Sequence, residues 1–299
     1  MKFTIFTPTF NRENTLPRLY QSLLSQSYND FEWLIVDDGS SDNTQELIQS
    51  FINENKINII YFKQENGGKH RAINKGLELA RGEFFFIVDS DDYLPNKSLQ
   101  IISEKAKNLS NDIIGVAGRK QYPNSIIIGD KYSKDEFVSD HIEKTYIKNL
   151  KGDLAEVIKT NVLRKFKFPD FQGEKFCAEG LIWNRLATSG YKILFFNIPI
   201  YNGEYLEGGL SANSIKNRRK SATYTMQLYS ELLKDGRIGT FIKIRTYTNF
   251  WRFSFFSHLS FFDKWMKIDK SILGLFCYPL GFLMKIKDNR NNNVEIYQK

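Results

Sequence analysis

Phe84-Phe85-Phe86-Ile87-Val88-Asp89-Ser90-Asp91-Asp92 is the stretch on which the fold turns. Five consecutive apolar residues, aromatic and β-branched, spell a short strand buried on both faces and therefore central in a sheet. Three carboxylates then fall within four residues. Their mutual repulsion is costly unless a cation is near. Hard divalent ions such as Mg²⁺ or Mn²⁺ prefer carboxylate and phosphate oxygens and often take only one or two ligands from the protein. The competing reading is an Asx-rich turn that caps the helix following Pro95.

The segments before this stretch alternate between the two periodicities. Phe3–Thr7 is an apolar strand. Asn14 is placed to cap a helix through Thr15–Gln26, with Leu16, Leu19, Leu23 and Leu24 on one face. Phe31–Val36 is a second strand, ending in Asp37-Asp38-Gly39-Ser40. Asp42 and Gln45 have the spacing of a capping box for a helix to about Asn53. Ile57–Phe62 is a third strand. Asn66-Gly67-Gly68 is a turn, and Ala72, Ile73, Leu77 and Ala80 predict one buried helical face ending near Gly82. Asn96–Lys107 predicts the next helix.

Strand–helix alternation of this kind predicts an α/β fold, a Rossmann-like, mostly parallel sheet flanked by helices. Ligands of such sheets bind beyond the carboxyl ends of the strands. Pro8-Thr9, Asp37-Asp38 and Asp89–Asp92 all fall at those ends, so residues far apart in the chain converge on one edge. A carboxylate at Asp37 or Asp38 can accept from a base N–H or a ribose hydroxyl, or simply cap its own turn. Asn66-Gly67-Gly68-Lys69-His70-Arg71 lacks the Walker A pattern. Lys69 and Arg71 nevertheless open a helix, where the dipole and two cations favour an anion. His70 reads as a hydrogen-bonding residue at the helix start rather than a metal ligand.

Beyond residue 113 the pattern is less regular. Ile113–Gly118 and Ile193–Phe196 read as strands, and Leu181–Thr188 and Asn217–Leu233 as helices. Asn289–Asn293 reads as a frayed terminus. Two cysteines, Cys177 and Cys277, imply no disulfide framework and fit a reducing setting. The amino-terminal residues read as a strand rather than a signal peptide. No segment reaches the ~20 apolar residues of a spanning helix.

The formal charge of +8 is unevenly spread. Residues 217–299 hold 15 Lys/Arg and 6 Asp/Glu, a net of +9, which leaves residues 1–216 at −1. Phe241–Trp265 interleaves ten aromatics with Lys243, Arg245, Arg252 and Lys264. Ile272–Leu283 adds a short apolar run containing Pro279, followed by Lys285, Lys287 and Arg290. Aromatic and basic residues together favour a membrane–water interface. The expectation is peripheral attachment to an anionic membrane surface, the cytoplasmic leaflet. The alternative is a helical subdomain that packs on the rest of the chain or makes a homodimer contact.

Four motifs taken in order resemble the inverting family 2 glycosyltransferases of bacterial surface-polysaccharide type. They are Phe6–Arg12, Val36–Asp42, Asn66–Gly76 and Val88–Asp92, and a weaker likeness continues through Gly173–Arg185 to about residue 215. The resemblance implies a GT-A fold and transfer of a hexose from a UDP-sugar to a glycan or polyprenyl-diphosphate-linked acceptor, in capsule, O-antigen or exopolysaccharide synthesis. It implies a catalytic domain over residues 1–215, with a nucleotide-binding half (1–120) and an acceptor half (121–215). A helical extension follows over 216–299. Residue by residue, Thr9 and Asp38 would contact the uracil, with Asp37 beside them. Arg71 would lie near base and phosphates with Lys69, and Asp89 would meet the ribose. Asp91, with Asp89 next to it, would hold Mn²⁺ or Mg²⁺ on the diphosphate. Ser90 and Asp92 would lie by the donor.

An inverting transfer also needs a carboxylate to take the acceptor's proton. Members of the family often use the Asp of a Glu-Asp pair before a helix ending in Arg-Leu. This chain departs from that pattern. Counting back six residues from Arg185 reaches Glu179, preceded by Ala178, so Glu179 is the expected base and Glu174 its alternative. Trp183 would stack on an acceptor sugar or belong to the core. A catalytically silent nucleotide-sugar or glycan-binding relative is the second reading, against which Asp89, Asp91 and Glu179 argue. A nucleotidyltransferase would carry a Gly-rich loop after the first strand, where this chain has Pro8–Arg12. Nucleic acid is not an expected partner: the basic excess would serve it, but strand ends lined with carboxylates repel phosphates without metal.

Overall fold

The computed structural model describes residues 1–203 and 213–297, with side chains through Asn289. The chain forms two compact units. The first comprises Met1–Pro169 and Leu186–Glu207, and the second the described residues of Asp170–Arg185 and Gly208–Lys299. Packing therefore does not follow the division at 215/216, since Asp170–Arg185 packs with the C-terminal helices.

The first unit opens with β1 (Phe3–Thr9), α1 (Leu16–Leu24), β2 (Phe31–Asp37), α2 (Thr44–Glu54), β3 (Ile59–Lys63), α3 (Lys69–Leu79), β4 (Phe84–Ile87) and α4 (Ser98–Lys105). It continues through β5 (Ile113–Gln121), β6 (Glu136–Ser139), β7 (Leu154–Lys159) and the short α5 (Thr160–Leu163). The helix α6 (Gly180–Thr188) precedes β8 (Lys192–Asn202). The eight strands form one sheet in the order β3-β2-β1-β4-β7-β5-β8-β6. Strands β3, β2, β1 and β4 are parallel. Beyond them the sheet is mixed: β7 runs antiparallel to both β4 and β5, and β6 antiparallel to β8.

Phe84, Phe85 and Phe86 are at most 1% exposed, as expected of a central strand. Each buried aromatic contributes roughly 2 kcal/mol through removal of its surface from water. One face of the sheet joins Phe3, Ile5, Trp33, Ile35, Phe84 and Phe86 to Leu16, Leu19, Tyr20 and Leu23 of α1. Helix α3 lies tightly against the sheet at Gly76, where an added Cβ would stand 2.2 Å from the Phe6 ring.

Several local expectations are corrected. Thr15, not Asn14, occupies the N-cap of α1, and Pro17 lies in the helix's first turn, where its missing N–H costs nothing. The Asp42–Gln45 capping box does not close. Asp42 Oδ1 accepts from Thr44 N at 3.1 Å, while Gln45 Oε1 accepts from Lys63 Nζ at 3.0 Å. Strands β6 and β7 escaped the sequence reading. In β7, Leu154–Lys159, Glu156 interrupts a short apolar run, and its place between β4 and β5 is set by long-range pairing.

The second unit is helical: α7 (Ser214–Lys220), α8 (Ala222–Leu233), α9 (Thr240–Ser254), α10 (Phe261–Lys267), α11 (Ile272–Phe276) and α12 (Tyr278–Tyr297). The helix expected over 217–233 is two helices, parted at Ser221, whose Oγ accepts from Phe176 N at 3.0 Å. Helix α12 spans Tyr278–Tyr297, and the frayed terminus expected over Asn289–Asn293 lies, beyond Asn289, outside the residues whose side chains are described. Met226, Tyr247, Phe250, Trp251, Ile268 and Cys277 form the core. Trp251 Nε1 donates to Gly274 O at 2.7 Å, and Arg252 grips Asp288 with two 2.6 Å bonds. Four of the ten aromatics in Phe241–Trp265, namely Tyr247, Phe250, Trp251 and Phe253, are thus buried. Among the described residues no helix is long and apolar enough to cross a membrane.

Candidate active site

The strand order reverses between β1 and β4, and the crevice at such a reversal is where open α/β sheets bind ligands. Register places Thr9 beside Asp37, and Val88 N donates to Phe6 O at 2.8 Å, so Asp89 emerges at the same edge. The first unit therefore brings together Thr9, Asp37, Asp38, Lys69, Arg71 and Asp89–Asp92.

The two aspartates closing β2 have different work. Asp37 is fully buried and accepts from Ser40 N at 2.7 Å and Tyr61 Oη at 2.8 Å, so it shapes its own turn. Asp38 accepts from Gly67 N and Gly68 N at 2.8 and 2.7 Å, and from Gln64 Nε2 at 2.8 Å. Its carboxylate thus holds the loop that launches α3. Gly39 makes the close approach of the two loops feasible. Its φ of +85° lies in the left-handed region, and a Cβ there would stand 2.9 Å from Asn66 N. Asp38 N donates to Thr9 O at 2.7 Å, while the buried Thr9 hydroxyl has no hydrogen-bond partner among the described residues. Buried hydroxyls are normally satisfied, so Thr9 Oγ1 is a polar atom at the end of β1 with hydrogen-bonding capacity to spare.

At the start of α3, Lys69 Nζ lies 2.6 Å from Asp89 Oδ1, and the Arg71 guanidinium donates to Gly67 O. His70 is buried edge-on to Phe168, in keeping with a structural role. Arg12 Nη2 lies 3.6 Å from Asp91 Oδ2, and Arg18 Nη2 donates to Asp91 O at 2.6 Å. Thr15 Oγ1 donates to Ser90 O at 2.8 Å. Burial pushes the Asp89 carboxyl up, but Lys69, Lys120 and Arg12 prevail and hold it below the usual range.

Asp92 behaves in the opposite way. It is 8% exposed, and burial followed by the Asp89 charge pushes it up to about 6. Its Oδ2 accepts from Tyr201 Oη at 2.7 Å, and the same hydroxyl accepts from Asp89 N at 3.0 Å. Tyr201 thereby clamps both ends of the acidic turn. Burial raises the Tyr201 phenol well above its ordinary value, with Asp89 and Asp92 adding to the effect. Lys120 is the cross-strand partner of Tyr201 and sits 4.2 Å over its ring.

Sequence reasoning missed Tyr201, Lys120, Arg12 and Arg18 as site residues. Arg12 stands inside a quoted motif and was within reach. Tyr201 and Lys120 meet the turn only through the β5–β8 pairing, which carries no local signal.

Glu179 belongs to the second unit, at the N-terminal end of α6, where its carbonyl accepts from Ile182 N at 2.9 Å and Trp183 N at 3.3 Å. Glu174 uses both carboxylate oxygens on the first turn of α8, accepting from Thr223 N at 2.9 Å and Tyr224 N at 3.1 Å. Glu174, the alternative base, thus has both oxygens engaged in capping α8. Trp183 is 8% exposed, a core residue rather than an open stacking platform. Arg185 binds Glu231 of α8 with two bonds of 2.8 and 2.7 Å.

As for a metal, the described residues contain no group of three or more His, Cys, Asp and Glu side chains able to cage one. The donor set suits a hard ion held by one or two carboxylates and completed by ligand oxygens. Asp91, its side chain 21% exposed, and Asp89, at 31%, are the carboxylates open enough to serve.

A parallel α/β half-sheet with a carboxylate-lined switch point and a cationic helix start is an architecture of the GT-A type. The family model for glycosyl transferase family 2 matches residues 4–168. The chain belongs to that family and is a glycosyltransferase. Glycosyltransferase GlyA of Streptococcus pneumoniae serotype 4 is 26% identical over 220 residues, 70% of this chain and 31% of GlyA. A GalNAc(5)-diNAcBac-PP-undecaprenol β-1,3-glucosyltransferase of Campylobacter jejuni is 28% identical over 196 residues, 62% of this chain and 59% of the relative. In each case the match spans less than two thirds of the relative's length. The crystal structure of Staphylococcus aureus TarS 1-349 in complex with UDP-GlcNAc superposes with a TM-score of 0.65 at 19% identity. It covers 94% of this chain and 79% of that one, which establishes a shared fold.

Proposed function

We propose that this protein transfers a hexose from a UDP-sugar, with inversion, to a hydroxyl of a glycan or polyprenyl-diphosphate-linked acceptor in bacterial surface-polysaccharide synthesis. The observation that carries the reading is the convergence of Thr9, Asp38, Lys69, Arg71, Asp89 and Asp91 at one sheet edge. Relatives that act on an undecaprenol-linked glycan, or whose fold is seen with UDP-GlcNAc bound, support it. The assignment of residues 1–215 to catalysis belongs to the same proposal.

In this reading the unsatisfied Thr9 hydroxyl and the Asp38 loop meet the uracil, and Asp89 the ribose. Lys69 and Arg12 hold the acidic turn until the donor arrives. A diphosphate offers both cations better partners than a carboxylate shared with a neighbour, so they turn to its oxygens and free Asp89 and Asp91. Asp91, assisted by Asp89, would then hold Mn²⁺ or Mg²⁺, which supplies positive charge to the departing UDP. Ser90 and Asp92 keep the turn in register beside the donor sugar. Glu179 takes the proton from the acceptor hydroxyl as it attacks the anomeric carbon opposite UDP.

The test is UDP release across a panel of UDP-sugars with Mn²⁺. Asp91→Ala is expected to lower kcat/KM by roughly 10²–10³. Glu179→Ala is expected to retain UDP binding, measured calorimetrically, while losing turnover to acceptor. Undiminished turnover in Asp91→Ala would refute the metal role. Donor binding without any turnover in the wild type would favour the silent relative.

A further inference from the structure

The α11–α12 segment of the second unit is apolar on two opposite sides. Gly274, Cys277 and Gly281 are buried toward α9. A Cβ on Gly281 would stand 2.5 Å from Trp251 Cβ, and one on Gly274 2.9 Å from Tyr247 Cδ1. The other stripe is Ile272, Phe276, Leu280 and Leu283, spaced three and four residues apart and 71, 75, 46 and 61% exposed. Helix α10 adds Phe261 and Phe262, 47 and 55% exposed, and the Phe261 ring lies 5.5 Å from that of Tyr278. Of seventeen exposed large apolar side chains among the described residues, nine lie within 261–283. A soluble surface rarely gathers apolar residues in this way unless something covers them.

Charge identifies the cover. Lys264, Lys267, Lys270, Lys285 and Lys287 stand on the same segments, and none forms an ion pair among the described residues. Lys270 Nζ lies 5.8 Å from the Phe262 ring, and Lys285 Nζ 5.5 Å from that of Phe282, so cations rim the apolar face. Of the acids nearby, Asp288 is locked by Arg252, while Asp263, which accepts from Ser260 Oγ, and Asp269 are exposed and offset only two of the five positive charges. A second copy docked face to face would set these lysines against one another. An anionic lipid surface satisfies both features at once. Acyl chains receive the stripe and headgroup phosphates the lysines.

We propose that the exposed face of α10–α12 is an interfacial lipid-docking surface for an anionic leaflet, lying in the plane of the membrane rather than spanning it. This deepens the membrane-linked acceptor reading and rests on it for its purpose, although the lipid contact itself is independent of the donor chemistry.

The experiment is flotation of the full chain with phosphatidylcholine vesicles, with or without phosphatidylglycerol. The wild type should float with the anionic vesicles and far less with the neutral ones. Lys285→Gln with Lys287→Gln should lower partitioning by about tenfold or more. Phe276→Glu with Leu280→Glu should abolish it, with thermal melting and UDP release from soluble donor unchanged. Wild-type protein that stays at the bottom of both gradients, or variants that float like wild type, would overturn the proposal. So would a wild-type dimer that Phe276→Glu converts to monomer without any vesicle binding, because the face would then be an interface between copies. Intact UDP release without flotation refutes only this surface. Flotation without UDP release refutes only the proposed activity.

Discussion

At the strand ends of the first unit the carboxylates of the acidic turn each face a partner, whereas in the last helices of the second five lysines lack one among the described residues. Asp89 has Lys69 at 2.6 Å, Asp91 has Arg12 at 3.6 Å, and Asp92 has the Tyr201 hydroxyl at 2.7 Å. The five lysines of α10–α12 have no ion-pair partner among the described residues, and Phe261, Phe262, Phe276 and Phe282 beside them are exposed. The difference teaches where each region's ligand enters. A site whose charges already compensate can exchange partners with an incoming ligand; in the proposed reading a diphosphate entering with its divalent cation would leave the net charge little changed. A face with uncompensated cations and uncovered apolar area is finished only by an external surface.

Three substitutions test how rigidly the first region is built compared with the second. The largest effect is expected from Gly76→Ala, because its Cβ falls 2.2 Å from the Phe6 ring, which is held in the sheet. Shifting α3 away should cost about 1–3 kcal/mol in urea unfolding. It should also weaken donor binding, since Lys69 and Arg71 ride on the same helix. An unchanged midpoint and KM would show that α3 is loosely seated.

Asp92→Asn should act in the other direction. The Asp92 carboxyl titrates near 6 in the folded chain, above the ordinary 3.8. The folded state therefore binds the extra proton between those values, and stability contributed by the protonated form is lost as pH rises through about 6. A neutral amide that still accepts from Tyr201 should gain roughly 1–3 kcal/mol above pH 6. It should also flatten the stability–pH curve between pH 4 and 6, measured by chemical unfolding. A curve of unchanged slope would remove Asp92 from the account.

The smallest effect is expected from Phe276→Glu. At 75% exposure the side chain supports little of the fold, and stability should change by no more than about 0.5 kcal/mol. A loss of several kcal/mol would mean that this ring is structural and would erase the contrast between the two regions.

Much of the parallel half-sheet was legible because its signals are local. The run Phe84–Val88, the spacing of Ala72, Ile73, Leu77 and Ala80, and the polar clusters after each strand all depend on residues a few positions apart. Helix caps were less legible, because Thr15 and Asn14 are both chemically able and only the path of the chain selects one. The C-terminal aromatics were legible as a composition but not as a sorting. Phe250 and Trp251 are buried, while Phe261 and Phe262 are exposed, because the packing of α9 against α12 decides which side of each helix faces in.

By itself the sequence determined that Thr9 and the carboxylates and cations of three further motifs meet at the carboxyl edge of a parallel sheet, since period-two and period-3.6 patterns compel that alternation. Only the tertiary structure decided how the acidic turn is held. Tyr201 reaches Asp89 and Asp92 across 112 and 109 residues. Nothing in the local pattern marks that tyrosine, because the contact follows from β8 joining the sheet beyond the antiparallel β7, a pairing made by the whole fold.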